Sequence, residues 1–374
     1  MLGVYKCTHI RIRGTTNFSR WLWRANKRER KFDIGLEILM KKKLSLFLAV
    51  IMMAGAFSAC GKKKAETESI PAPTETAAPE SQKDDFAVKY EKATKRPVAV
   101  MIDNDNKDAW PHAGLSEAYL IYEITVEGSA TRLMALFNET ETEKIGPVRS
   151  SRHYFLDYAS EHDAIYTHFG WSPKAMEDIP ALGINNINGI YDAGAFWRER
   201  KHKNDYHSAF TSMKLINEQI SAKSYRTDRE KAPLNFADKR YTPEGDAASS
   251  VYIPFASFYS VKFEYDAESG TYSRIVNGSP YALQEGAKIA AENIIVMKMH
   301  EAPLGDGSAR INISDVGSGE GYFLTAGKCV PVKWSKESRT AKTVWKDGSG
   351  NEIKLNPGQT WVEIVSTSVN TAIE

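Results

Sequence analysis

The 374-residue chain is 42% hydrophobic and 26% charged, which excludes an intrinsically disordered protein and leaves apolar mass for one or two cores. Its 49 Lys+Arg and 47 Asp+Glu nearly cancel, leaving a net +2. Three cysteines with no CxxC or other zinc-type spacing exclude a disulfide framework and a zinc finger.

That charge is unevenly placed. Residues 41–59 read KKKLSLFLAVIMMAGAFSA and precede Cys60, so a basic start, an apolar run and a small-residue exit describe a secretory signal peptide. The ending Phe57-Ser58-Ala59-Cys60 resembles a bacterial lipobox, which makes Cys60 the expected lipidation site and mature N-terminus. The run from Leu44 to Ala59 has 16 residues, against the roughly 20 a spanning helix needs. Met40 directly precedes the lysines, so residues 40–59 read as the signal and 1–39 as a mis-assigned upstream extension. Residues 1–59 hold 12 Lys+Arg and 3 Asp+Glu. Subtracting these from 49 and 47 leaves 37 basic and 44 acidic groups, a net −7. An acidic mature chain argues against a nucleic-acid partner. The expected place is the extracytoplasmic face of the cell membrane, held by lipid.

Residues 60–95 are rich in Lys, Glu, Thr, Ala and Pro and read as a disordered tether. An α/β domain is expected over 96–226. Val98 to Ile102 is a continuous apolar run of buried-strand type, followed by a short helix or turn over 111–119 and strands over 119–126 and 131–137. Helical spacing marks 150–161, a short strand 164–169, and Ser-Pro at 172–173 opens another helix. Polar residues 227–250, with Pro233, Pro243 and Gly245, read as a linker. Over 251–367, alternating runs at 260–265, 271–276, 293–299, 310–314, 321–325, 330–334 and 360–365 predict a mostly β domain. The glycines from Gly317 to Gly321 read as a turn between strands.

The strings RPVAVMIDN, YEITVEGSATRLMALF, IGPVRSSRHYFLDYA, DAIYTHFGWSP and FWRER resemble the YerB-like family of Gram-positive lipoproteins. YDAESGTYSRIVNG and LNPGQTWVEIV resemble that family's second domain. The resemblance implies lipid anchoring in the cell envelope and two domains of unknown function. Where the family usually has Pro-His-Asn, this chain has Tyr206-His207-Ser208, which marks His207 as a candidate in an altered setting. A fainter likeness in layout is to LytR-CpsA-Psr enzymes, which use arginines to hold a lipid pyrophosphate. Their Pro-Arg-Asp string is replaced here by Gly-Pro-Val-Arg.

The candidate site is assembled from strand ends, where α/β proteins place ligands. Arg149 and Arg152, with Arg132 on a neighbouring strand, suit a phosphate or carboxylate; the alternative is structural ion pairing with Asp103, Glu123, Glu127 or Asp157. Asp103 reads as a general base or divalent-cation ligand, or as the cap of an Asx turn. His168 is the best placed of six histidines at a strand end. No metal motif is present, and no GxSxG elbow surrounds Ser150 or Ser151. Two function classes remain: an envelope binding or scaffold module with an anionic ligand, and a phosphotransferase acting on lipid-linked cell-wall polymers. Edge strands of the β domain leave room for a protein partner.

Overall fold

The computed structural model describes residues 83–105 and 107–374, so the upstream extension, the signal segment, Cys60 and most of the tether lie outside the described residues. Helix α1 (Asp85–Lys92) corrects the expected end of the tether. The Asp84 carboxylate caps it by accepting from the Phe86 amide at 2.9 Å, and buried Tyr90 packs edge-on against Phe236 at 4.9 Å. Two aromatics in a Lys/Glu-rich stretch thus suffice to fix a helix.

The first half contains β1 (Val98–Asn104), β2 (Leu120–Thr125), β3 (Thr131–Phe137), α2 (His153–Glu161), β4 (Ile165–His168), α3 (Pro173–Ala181), β5 (Asn186–Asn188), β6 (Trp197–Arg198), β7 (Ala209–Phe210) and α4 (Met213–Ala222). The second half contains β8 (Asp246–Ala247), β9 (Ser250–Ala256), β10 (Tyr259–Asp266), β11 (Thr271–Val276), β12 (Ser279–Pro280), β13 (Asn293–Met299), β14 (Glu301–Pro303), β15 (Ile311–Ile313), β16 (Gly317–Thr325), β17 (Lys328–Lys336), β18 (Val344–Lys346), β19 (Thr360–Ser366) and β20 (Ala372–Ile373). The N-terminal part mixes helix and sheet and the C-terminal part is mostly sheet, as expected.

One mixed sheet crosses both halves, in the order β18-β17-β16-β13-β19-β2-β3-β1-β4-β5, with β8 beside β17. The crossing point is β19, which runs parallel to β2 and to β13. On one face lie α4 and the smaller sheet β12-β11-β10-β9-β20, taking Val98, Val100 and Ile102 of β1 into one core. On the other face α1, α2 and α3 take Ala99 and Met101 into a second. Cover on both faces is why β1, β2, β3 and β19 are buried at nearly every position.

A buried charge cluster sits on this seam. Glu123 of β2 and Glu363 of β19 are register partners, and Arg274 of β11 reaches them at 2.6 and 3.5 Å. Burial and the neighbouring Glu123 charge push the Glu363 carboxyl far above the usual range, so one proton and one guanidinium neutralise two carboxyls. Glu123 also accepts from Thr131, Tyr259 and Asn104.

The expected linker is packed rather than loose. Phe236 is buried against Phe86 and Tyr90, and β8 joins the main sheet. The glycine run 317–321 is strand, not turn. A Cβ on Gly319 would sit 2.6 Å from the Trp334 ring, and one on Gly321 would lie 2.3 Å from the Val296 carbonyl. Cys329 is free and buried, and burial pushes its thiol up to about 11.

Candidate functional site

The site forms where β1 changes neighbours. Its first half, Val98 to Val100, pairs with β4. Its second half pairs with the Gly-Pro-Val-Arg segment, through Asp103 N to Pro147 O at 2.8 Å and Arg149 N to Met101 O at 3.0 Å. Gly146 lets the segment enter, because at φ +143° a Cβ would lie 2.9 Å from the Ala209 carbonyl. Arg149 is thereby delivered beside the end of β1, and the 206–208 loop is brought to the same place by Val148 N to Ala209 O.

Asp103 is fully buried at the centre. Its Oδ2 accepts from His207 Nδ1 at 2.7 Å and lies 3.3 Å from Arg149 Nε, while Oδ1 takes the Asp105 amide at 3.2 Å. By those two contacts (3.3 plus 2.7) Arg149 Nε and His207 Nδ1 are no more than 6.0 Å apart. Burial alone would raise the Asp103 carboxyl, but the His207 hydrogen bond and the Arg149 and Arg132 charges outweigh it and hold it ionised below its ordinary value. The same hydrogen bond outweighs burial at His207 and raises its imidazole.

Arg149 is 27% exposed at its side chain, its Nη1 only loosely near the Tyr206 carbonyl at 3.5 Å. His207 is 13% exposed at its side chain, with its backbone N fixed by Asp205 at 2.8 Å. No hydrogen bond from His207 Nε2 is formed among the described residues. A cleft of about 250 Å³ opens at this ring, lined by charges of both signs, Asp108 and Glu199 with Arg200 and Lys201, and by Pro147 and Phe210.

Arg132 is the register partner of Asp103 across β3 and is almost wholly buried. Its Nη1 donates to the Ser150 carbonyl at 2.5 Å, and its Nε has no hydrogen bond. Burial first, then the Arg152 charge, lowers the guanidinium to about 10. Arg152 is withdrawn from the cluster of exposed cations. It forms a two-pronged pair with Glu127 and donates to the Ser151 carbonyl. The structural ion-pair alternative therefore holds for Arg152.

His168 is a correction. It is buried with Nδ1 against the Gly170 carbonyl at 2.7 Å and Nε2 against the Asn186 amide at 2.9 Å, and burial pushes it down to about 4. It is a neutral structural histidine with neither nitrogen free. Among the described residues no group of three or more His, Cys, Asp or Glu side chains that could hold a metal ion is found.

Sequence reasoning missed Arg198 and Phe169. Arg198 lies over the Phe169 ring at 4.5 Å, and Phe169 N bonds to the Arg149 carbonyl. Burial, then the Arg200 and Arg149 charges, lowers Arg198, with Asp205 opposing them. The signal was present in FWRER, a string that carries a family likeness without declaring a role.

The chain matches two family models, "Protein of unknown function (DUF3048) N-terminal domain" over residues 85–226 and the DUF3048 C-terminal domain over 251–362. It is 30% identical to the "Putative lipoprotein YerB" of Bacillus subtilis (strain 168) over 276 residues, covering 72% of this chain and 81% of that protein. The crystal structure of the YerB protein from Bacillus subtilis matches with a TM-score of 0.67 at 28% identity, covering 75% of this chain and 94% of that one. With both domain models matched and the pairing carried across most of each chain, the protein belongs to the YerB-like DUF3048 family of lipoproteins.

Proposed function

We propose that this lipoprotein is anchored through Cys60 at the extracytoplasmic face of the membrane and binds a phosphate-type anion at Arg149 and His207. The observation that carries the reading is the shared Asp103 oxygen. A buried carboxylate holds the Arg149 guanidinium and the His207 imidazole from behind, while both remain partly exposed. Arg132 and Arg198 add positive charge nearby, and a guanidinium beside an imidazolium suits a doubly charged oxyanion. The phosphotransferase reading needs a long apolar groove for a polyprenyl chain, whereas the cleft beside His207 is small, about 250 Å³, and carries the charged side chains of Asp108, Glu199, Arg200 and Lys201. We therefore favour the binding reading. No helix among the described residues is long and apolar enough to cross a membrane.

The test is calorimetric titration of sulfate, a dianion across the whole working pH range, into the full chain in detergent. Arg149→Ala weakens sulfate by about 10- to 100-fold, the worth of a charge-assisted hydrogen bond, with an unchanged circular-dichroism spectrum. Arg152→Ala leaves the affinity within about threefold, since its charge is engaged by Glu127. Wild-type affinity falls as pH rises through the raised His207 value. Equal affinity in wild type and Arg149→Ala removes the proposed site. For the anchor, Cys60→Ser moves the protein from the membrane to the soluble fraction.

A further inference from the structure

Anion binding does not account for two features of the site: the fixed orientation of the His207 ring and the cleft that begins at it. A histidine needed only for charge could be held in any orientation. Here the ring is locked, with Nδ1 against buried Asp103 at 2.7 Å and the backbone N against Asp205 at 2.8 Å. That lock fixes the tautomer and leaves Nε2 as the working atom, the arrangement of an oriented acid–base histidine. Its charged surroundings are Asp103 on β1, Arg149 on the Gly-Pro-Val-Arg segment, Asp105 in the turn after β1, Asp205 and His202 on its own loop, and Asp108, Glu199, Arg200 and Lys201 at the cleft.

We infer that the Asp103–His207 pair is an acid–base centre that cleaves a water-soluble phosphate monoester, with Arg149 holding the phosphoryl group and His207 Nε2 serving the ester oxygen at the cleft mouth. This rests on the anion reading above. The spatial logic is that Arg149 Nε and His207 Nδ1 both approach Asp103 Oδ2, at 3.3 and 2.7 Å, so one carboxylate oxygen holds the guanidinium and the imidazole side by side. The cleft of about 250 Å³ admits one ring-sized leaving group, with Phe210 on its wall and Arg200 at hand. Water forms the new P–O bond as the ester P–O bond breaks. His207 Nε2–H gives its proton to the departing oxygen, and the proton shed by the attacking water returns to His207. The products are an alcohol and inorganic phosphate, and no other reactant is consumed. His207 is the catalytic acid; Asp103 is a positioning residue.

The experiment compares phenyl phosphate with 4-nitrophenyl phosphate as substrates of the full chain, with sulfate binding measured in parallel at each pH. Phenolate must be protonated as it leaves, whereas nitrophenolate departs unaided. His207→Gln lowers kcat/KM for phenyl phosphate by about 100-fold or more, within the usual range for a general acid, but for 4-nitrophenyl phosphate by less than about tenfold. Wild-type turnover of phenyl phosphate falls as pH rises through the His207 value, and Asp103→Asn moves that falling limb to lower pH. Equal losses on both esters, or sulfate binding without turnover of either ester, overturn the acid role and leave the anion site standing. Absence of sulfate binding in the wild type overturns both.

Discussion

Arg149 and Arg152 stand three residues apart and meet opposite fates. Arg149 emerges at the end of β1 with part of its guanidinium in solvent, whereas Arg152 is clamped by Glu127 against the backbone of Ser151. Burial would raise the Glu127 carboxyl, but its Arg152 partner draws it down to about 2. A carboxyl depressed in the folded state contributes stability that is present above its unfolded value near 4.3 and is lost as pH falls toward 2. Arg152→Ala should therefore lower the Tm at pH 7 by roughly 2–6 °C, a figure kept small because Glu127 is partly exposed. Thermal melts should show that gap closing as pH approaches 2; a gap independent of pH would show that the pair contributes nothing. Nothing in GPVRSSR separates the two arginines, because the partner of each lies on another strand or loop.

At the scale of elements, α2 and the loop before β16 meet through two carboxyls. Burial and the Asp157 charge push Asp315 up to about 8, and Arg339 grips Asp157 at 2.7 Å. An Asp raised in the folded state favours folding fully below its unfolded value near 3.9, and that contribution is lost as pH rises to about 8. Asp315→Asn should accordingly raise the Tm by about 2 °C or more at pH 8.5 and leave it unchanged near pH 4. A stabilisation equal at both pH values would contradict the assignment. The strands themselves were legible in the sequence, because burial on both faces writes a continuous apolar run such as Val98 to Ile102, and the second half carries alternating runs such as 360–365. The helix α1 was not, since its fixing contacts to Phe236 and Tyr119 come from residues far along the chain. His168 looked well placed at a strand end, but a hydrogen bond to Asn186, 18 residues on, consumes its outer nitrogen. The pairing that matters most, Asp103 with His207, spans 104 residues and has no local trace at all.

For the whole molecule, the two matched domains share one sheet through β19, and Glu123, Arg274 and Glu363 lock that seam from three strands. Calorimetric unfolding should give one cooperative transition, and Arg274→Met, which strands a buried carboxylate, should cost about 3–5 kcal/mol and lower that single transition. Two separate transitions would mean that the seam does not couple the halves. Continuity matters for function because Asp103 and Arg132 hang from β1 and β3 of that sheet and Arg149 from the segment paired to β1. The most direct measurement is a crystal structure of the protein grown or soaked with sulfate, solved for wild type and Arg149→Ala. The account predicts a sulfate within hydrogen-bonding distance of Arg149 Nη and His207 Nε2 in the wild type and none there in the variant. A wild-type structure with sulfate bound elsewhere and this position filled only by water would contradict it.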